Sequence, residues 1–120
     1  MVLVDTSIWI SYLREGNFQL SHLLNEGMVA CHPFVIVELA CGKLKNRNEI
    51  LPLLKLLPLA EIVEHDEILE FIENYKLMGE GIGFIDVNLL ASAMLTNIPL
   101  WTFDKKLTSL SVRLRINYKI

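Results

Sequence analysis

Four carboxylates interrupt apolar sequence: Asp5 in "VLVD", Glu38 in "FVIVEL", Asp86 in "GFIDVNLL" and Asp104 in "LWTFD". Most of the other acids fall on polar helix faces or in loops, where water solvates them. A carboxylate flanked by buried residues is costly unless it is paired, hydrogen-bonded or metal-bound. Each of the four also has a plain structural role open to it. Asp5 and Asp86 stand where helices begin, and Asp is favoured there as a cap or first-turn residue. Asp104 precedes "KKLTSL" and suits a cap equally well. Glu38 lies mid-helix between Val37 and Leu39, where a buried salt bridge is the main alternative.

The four positions say more together. In a parallel α/β sheet the strand C-termini share one edge, and the ligand crevice opens there. Asp5 and Asp104 each end an expected strand, Asp86 begins the helix leading into the strand before Asp104, and Glu38 follows the second strand. All four are therefore expected at one pocket. Ionised carboxylates crowded together raise one another's pKa unless a cation neutralises them. Lys105 is the only cation directly flanking them. A hard divalent ion with oxygen ligands, Mg²⁺ or Mn²⁺, answers that need, and such sites recur where phosphate esters are cleaved. Ser7 and Thr102 are hydroxyls beside the acids. They suit hydrogen bonds that hold the carboxylates in place, or else backbone capping. Other cofactors lack support. His22, His32 and His65 are scattered without zinc spacing. "GEGIGF" has neither GxGxxG nor a GK[ST] ending; its glycines read as a helix stop and a sharp re-entry that aims Asp86.

Strands alternating with helices must position these residues. "MVLV", "MVAC", "EIVEHD", "IPLWTF" and "VRLRINYKI" read as strands. Helices are expected after Asp5, over "FQLSHLLNEG" with Gly27 past its end, and over "HPFVIVELACGKL" with Pro33 in its first turn. Further helices are expected over "NRNEILPLLKLLPLA" with Pro52 near its start, after a capping Asp66, from about Ile85, and over "KKLTSL". In the Asp66 helix, Ile68, Leu69, Ile72, Tyr75 and Leu77 are expected to face inward. The alternation predicts an α/β fold: a three-layer sandwich around a central, mainly parallel sheet. With 120 residues and no linker, repeat or low-complexity tract, residues 1–120 are expected to form a single domain.

Composition narrows the classes. Hydrophobic residues make up 52 % and mean hydropathy is +0.41. That excess suits a sheet covered on both faces, or apolar surface kept for a partner. No apolar run reaches the ~20 residues of a membrane helix, and the N-terminus lacks signal-peptide features. Cys31 and Cys41 form no CxxC pair and read as small reduced core residues. A cytoplasmic protein is expected. The net charge of −3 does not advertise nucleic-acid binding. The charge is uneven, however: 61–80 carries seven acids and one lysine, whereas 105–119 carries Lys105, Lys106, Arg113, Arg115 and Lys119 with no acid. Lys43, Lys45 and Arg47 form a second basic cluster. Both clusters suit solvated faces, or phosphate contacts at the rim of a site. Trp9 and Trp101 read as core packing rather than base-stacking platforms.

With those residues in view, the sequence resembles a PIN-domain ribonuclease of the VapC toxin type, over nearly its whole length. "LVDTSIWI", "VELACG", "GIGFIDVNLLASAM" and "LWTFDKKL" are similar to that family's four motifs, in order and in spacing. The resemblance implies a PIN-like fold and Mg²⁺- or Mn²⁺-dependent endonucleolytic cleavage of single-stranded RNA, leaving a 5′-phosphate and a 3′-hydroxyl. It implies that Asp5, Asp86 and Asp104 hold metal, directly or through water, with Glu38 as a further ligand or orienting a water. It also implies a VapB-like antitoxin partner and a homodimer. An antitoxin groove is expected between Trp9, Tyr12, Leu13, Leu20 and Leu23 and the region Leu51–Leu57. Two rival readings are a phospho-signalling receiver domain, which needs adjacent acids after its first strand and an acceptor Asp mid-chain, and a catalytically inactive interaction module on the same fold.

Overall fold

The structure, a computed structural model, describes residues 1–120. Its elements run β1 (Val2–Val4), α1 (Thr6–Glu15), α2 (Phe18–Asn25), β2 (Val29–Ala30), α3 (Pro33–Cys41), α4 (Arg47–Lys55), α5 (His65–Tyr75), α6 (Phe84–Thr96), β3 (Leu100–Trp101) and α7 (Lys105–Arg113). Three parallel strands form the central sheet in the order β2-β1-β3, with Val2 beside Val29 and Val4 beside Trp101. The continuous Val/Leu sequence of β1 follows from its place: it is the middle strand, all three of its residues are buried, and helices pack around it. No helix is long and apolar enough to cross a membrane.

The sheet is narrower than the strand count expected from sequence. "EIVEHD" forms no strand; the chain touches the sheet only where Leu59 pairs with Cys31. "VRLRINYKI" likewise contributes one bridge, Asn117 to Leu100. The cause lies in the partner strands. β2 stops after two residues because His32 and Pro33 start α3, and Pro33 has no N–H to donate to a ladder. β3 stops because Thr102 begins the turn into Asp104.

Helix boundaries carry smaller corrections. Asp66 does not cap α5; Glu64 holds that position and Asp66 lies in the first turn. Pro52 sits inside α4 rather than near its start. Ile68 in α5 and Leu77 just past its end are buried, but Leu69 and Tyr75 are exposed. Cys31 is buried as expected, whereas Cys41 is exposed at the end of α3. Gly27 does follow α2 with a left-handed φ of 67°. Trp9 and Trp101 both belong to the core.

The helix that carries Asp86 is the most enclosed. Every residue of α6 from Val87 to Ala93 is buried, including Asn88 and Ser92. Ser92 joins a polar chain inside the core. Its hydroxyl donates to Glu61 O at 2.7 Å, so His32 Nε2 must donate to Ser92 Oγ at 3.0 Å. His32 Nδ1 is then the acceptor for Phe34 N–H at 3.0 Å, which caps α3. Burial pulls the His32 pKa down to about 4, so the ring is neutral at pH 7.

Candidate active site

The register of the sheet builds the first part of the site. Val4 pairs with Trp101, and Asp5 N–H donates to Trp101 O at 3.0 Å, which brings Thr102 alongside Asp5. Thr102 Oγ1 donates to Asp5 Oδ2 at 2.6 Å, and Ser7 Oγ donates to the same oxygen at 2.9 Å. Each hydroxyl also accepts a backbone N–H from the turn after β3. Phe103 N bonds Ser7 Oγ and Asp104 N bonds Thr102 Oγ1, both at 3.0 Å. Both hydroxyls thus hydrogen-bond the Asp5 carboxylate, and they tie the first motif to the last. Asp5 stands at the N-cap position of α1, yet its side chain makes no capping bond.

The other acids are held in their own ways. Asp104 caps α7: its Oδ1 accepts from Leu107 N at 2.8 Å. Glu38 accepts a hydrogen bond on Oε1 from the Thr6 hydroxyl. It is exposed, and so is its neighbour Val37, so the expected buried flank and its salt bridge are absent. Asp86 is the third residue of α6, and its carboxylate takes a bond from the Gly83 backbone at the N-cap. The chain reaches Gly83 through Gly79 and Gly81, whose φ values of 73° and 76° supply the expected sharp re-entry.

All four carboxylates line one cleft of about 860 Å³. No three of them close tightly enough to make a ready metal cage, so they are more widely set than the sequence suggested. Their charges still meet. Asp86 is pushed above the usual carboxylate range, first by burial and then by the charges of Asp5, Asp104 and Glu38, against the lowering effect of the Gly83 bond. None of them is ion-paired; the chain's one salt bridge joins Arg113 and Glu80 far along the sequence. The helix starts that adjoin Asp5, Asp86 and Asp104 offset part of the repulsion. Oxygen donors, excess negative charge and spacing that leaves room for water suit Mg²⁺ or Mn²⁺.

Thr6 is the site residue that sequence reasoning missed. A hydroxyl next to Asp5 was the only signal, and nothing in the sequence links it to Glu38, 32 residues on. The expected apolar groove also changes. Trp9, Leu20 and Leu23 are core residues, not groove lining. The floor of the cleft is instead Ile10, Leu13, Leu39, Leu44 and Ile50. Leu53 of α4 and Leu56 just past its end are exposed. Of the basic clusters, Lys43 and Lys45 reach the cleft, while Arg47 donates to Ala40 O and Arg113 to Glu80 and Tyr75 O.

Comparison with known proteins agrees with this architecture. The PIN domain family model matches residues 2–112. Ribonuclease VapC32 of Mycobacterium tuberculosis, in strains CDC 1551 / Oshkosh and ATCC 25618 / H37Rv, is 45 % identical over 108 residues, 89 % of this chain and 87 % of the relative. The crystal structure of PAE2754 from Pyrobaculum aerophilum superimposes with a TM-score of 0.63, covering 95 % of this chain and 88 % of that one. At 18 % identity it speaks for the fold alone. The fold, the order of the motifs and the kinship of the sequence agree: the chain belongs to the PIN-domain family, among its VapC-type ribonucleases.

Proposed function

We propose that this protein is a metal-dependent endoribonuclease that cuts single-stranded regions of RNA, acting as the toxin of a toxin–antitoxin pair. One observation supports this most: Asp5, Glu38 and Asp104 each anchor one carboxylate oxygen to the protein while lining a common cleft with Asp86. A helix cap such as that of Asp104 accounts for one bond, but not for four acids gathered in one cleft. Acids waiting to present an oxygen to a cation account for both.

Asp5, Asp86 and Asp104 are the proposed metal-holding residues, with Glu38 completing the ring as a ligand or by orienting water. Bound Mg²⁺ or Mn²⁺ would polarise the scissile phosphate and lower the pKa of the attacking water. The protein's part is to hold these acids ionised and oriented. Ser7 and Thr102 keep Asp5 Oδ2 engaged, so the plane of that carboxylate is set before substrate arrives. In-line attack leaves a 5′-phosphate and a 3′-hydroxyl. The partners in this reading are the RNA, a VapB-like antitoxin that covers the acids, and a second copy of the chain in a cytoplasmic homodimer. The cleft's apolar floor and exposed Leu53 and Leu56 offer the antitoxin a helix-sized landing strip. The receiver-domain alternative gains nothing here, since "EIVEHD" forms no strand to carry an acceptor Asp to the sheet edge.

Total RNA incubated with the purified chain tests the proposal. Cleavage is expected with Mg²⁺ or Mn²⁺, absent with EDTA, and absent in Asp5→Asn and Asp86→Asn. Cleavage that persists in EDTA or in both variants would overturn the metal site. An intact RNA pool across metals and salts would overturn the nuclease.

A further inference from the structure

The cleft that holds the four acids has a second chemistry. Arg14, Lys43 and Lys45 also line it. All three are exposed, and none has an acidic partner. They are set apart from the acids by the geometry of two helices. Arg14 lies nine residues beyond Asp5 in the last turn of α1, roughly 13 Å along the axis at 1.5 Å per residue. Lys43 and Lys45 stand in the loop past the C-terminal end of α3, beyond Glu38. Helices α1 and α3 pack against each other, and the cations at and past their C-terminal ends line the same cleft.

The loop that carries the lysines is held. Arg47 donates back to Ala40 O in the last turn of α3, and Asn46 takes a left-handed φ of 54° to turn the chain into α4. Backbone in that region is unusual for a residue other than glycine. The clamp and the turn keep Lys43 and Lys45 against the cleft.

The cleft therefore offers acids suited to a cation and, past the far ends of α1 and α3, bases suited to an anion. A nucleic-acid strand is the chemistry that meets both: one phosphate at the acids, others farther along. We propose that Arg14, Lys43 and Lys45 form a subsite that grips the backbone phosphates of nucleotides on one side of the cut, so that the substrate must continue in that direction. The inference rests on the nuclease reading above. The ~13 Å span corresponds to about four nucleotides of stacked strand at 3.4 Å each, which bounds how far the gripped phosphate lies from the scissile one. The residues are positioning groups: they touch substrate away from the reacting atoms.

A second cationic cavity serves as the control. It lies between the ends of α5 and α7, has a volume of about 420 Å³ and includes Lys76 and Arg115. One triple variant would carry Arg14→Gln, Lys43→Gln and Lys45→Gln. A charge-matched control would carry Lys55→Gln, Lys76→Gln and Arg115→Gln, none of which lines the cleft. Binding of a labelled single-stranded oligoribonucleotide is read by anisotropy against salt, and KM and kcat are read on an RNA that the wild type cuts. The cleft triple is expected to bind about tenfold more weakly or worse. Its salt slope should fall by about two, from ~0.7 per lost single-strand contact. KM should rise while kcat stays within about twofold. A single uncharged methylphosphonate linkage, moved up to about four nucleotides either side of the cut, should weaken wild-type binding on one side only, and not in the cleft triple.

Equal losses in both triples would mean diffuse charge rather than a subsite, and would overturn the inference. So would a methylphosphonate penalty that is symmetric about the cut or persists in the cleft triple. A wild type that cuts RNA alongside a cleft triple that binds as tightly would overturn the subsite and leave the nuclease standing. A wild type that neither binds nor cuts RNA would overturn both.

Discussion

Asp5, Glu38 and Asp104 each give one oxygen to a neighbouring donor, while Asp86 takes its bond from the Gly83 backbone. The residues most exposed to mutual repulsion should therefore trade stability for function. Asp86→Asn removes a carboxylate raised by burial and by three like charges, and keeps an acceptor for the Gly83 N–H. It is expected to abolish metal-dependent cleavage yet raise the Tm of the metal-free fold. Calorimetry with and without Mg²⁺ checks both halves: Mg²⁺ should raise the Tm of the wild type and not of the variant. The sign with pH follows. A folded-state carboxyl raised above its unfolded value means the native state holds the extra proton. Metal-free stability should thus fall as pH rises through that raised value. Metal binding, which needs the ionised form, should release protons there, as measured by titration in buffers of different ionisation enthalpy. Thr102→Val probes the anchor itself. Losing both the bond to Asp5 and the acceptor for Asp104 N should cut turnover about 10–100-fold, whereas Thr102→Ser should retain most of it. Equal activity in Val and Ser variants would show the hydroxyl to be idle. At this scale the acids and their two hydroxyls were legible, because local patterns mark them: a run of Val or Leu broken by Asp, with Ser or Thr alongside. Thr6 was not legible, because its partner is chosen by how α1 and α3 pack.

At the scale of elements, helices were legible and strand ends were not. Helix periodicity and stop signals such as Gly27 are local in the sequence. Strand length depends on the partner, and β2 and β3 are cut short by the turns into α3 and α7, leaving single bridges where "EIVEHD" and "VRLRINYKI" alternate in vain. His32 links several of these elements. It caps α3, ends β2 and bonds Ser92 on α6, so the helices of Glu38 and Asp86 share one buried ring. Protonation on Nδ1 would remove the cap's acceptor. With the folded pKa near 4 against an ordinary 6.5, the unfolded chain binds more protons between those values. Stability should accordingly be full above pH 6.5 and decline as pH falls towards 4, by up to roughly 3 kcal/mol. Urea unfolding at pH 7 and pH 4.5 measures it. His32→Asn, which keeps a capping oxygen, should be less stable by ~2 kcal/mol at pH 7 and should lose most of that acid dependence. An unchanged slope in the variant would assign the acid sensitivity elsewhere.

For the whole molecule, an acidic chain works on a polyanion by separating its charges within one cleft rather than by net charge. Its apolar excess is explained in two ways: a 27-residue core around β1, and side chains left outside it. Leu56 is 81 % exposed and Leu53 59 %, in the helix whose Ile50 lines the cleft and just past its end. Leu53→Glu with Leu56→Glu is expected to leave Tm within about 2 °C and RNA cleavage intact, because neither side chain packs in the core. The same pair should weaken capture by the cognate antitoxin at least about tenfold in a calorimetric titration. Undiminished binding would place the partner on another face. Of the expected groove, Trp9, Leu20 and Leu23 belong to the core whereas Leu13 lines the cleft and Leu53 and Leu56 are exposed; only the packing tells an amphipathic stripe that meets the core from one left outside it.

The ties between Ser7, Thr102 and Asp5 join residues 95 and 97 positions apart. β1 is the first strand to be synthesised and the middle one of the sheet, yet β3, its second neighbour, is nearly the last. At translation rates of about 5–20 residues per second, roughly 5–20 s separate the appearance of Asp5 from that of Asp104. Until that interval ends the cleft lacks Asp104, one of its four acids. The acidic ring therefore cannot be complete until β3 and the turn after it have been made, however early the rest of the cleft is in place.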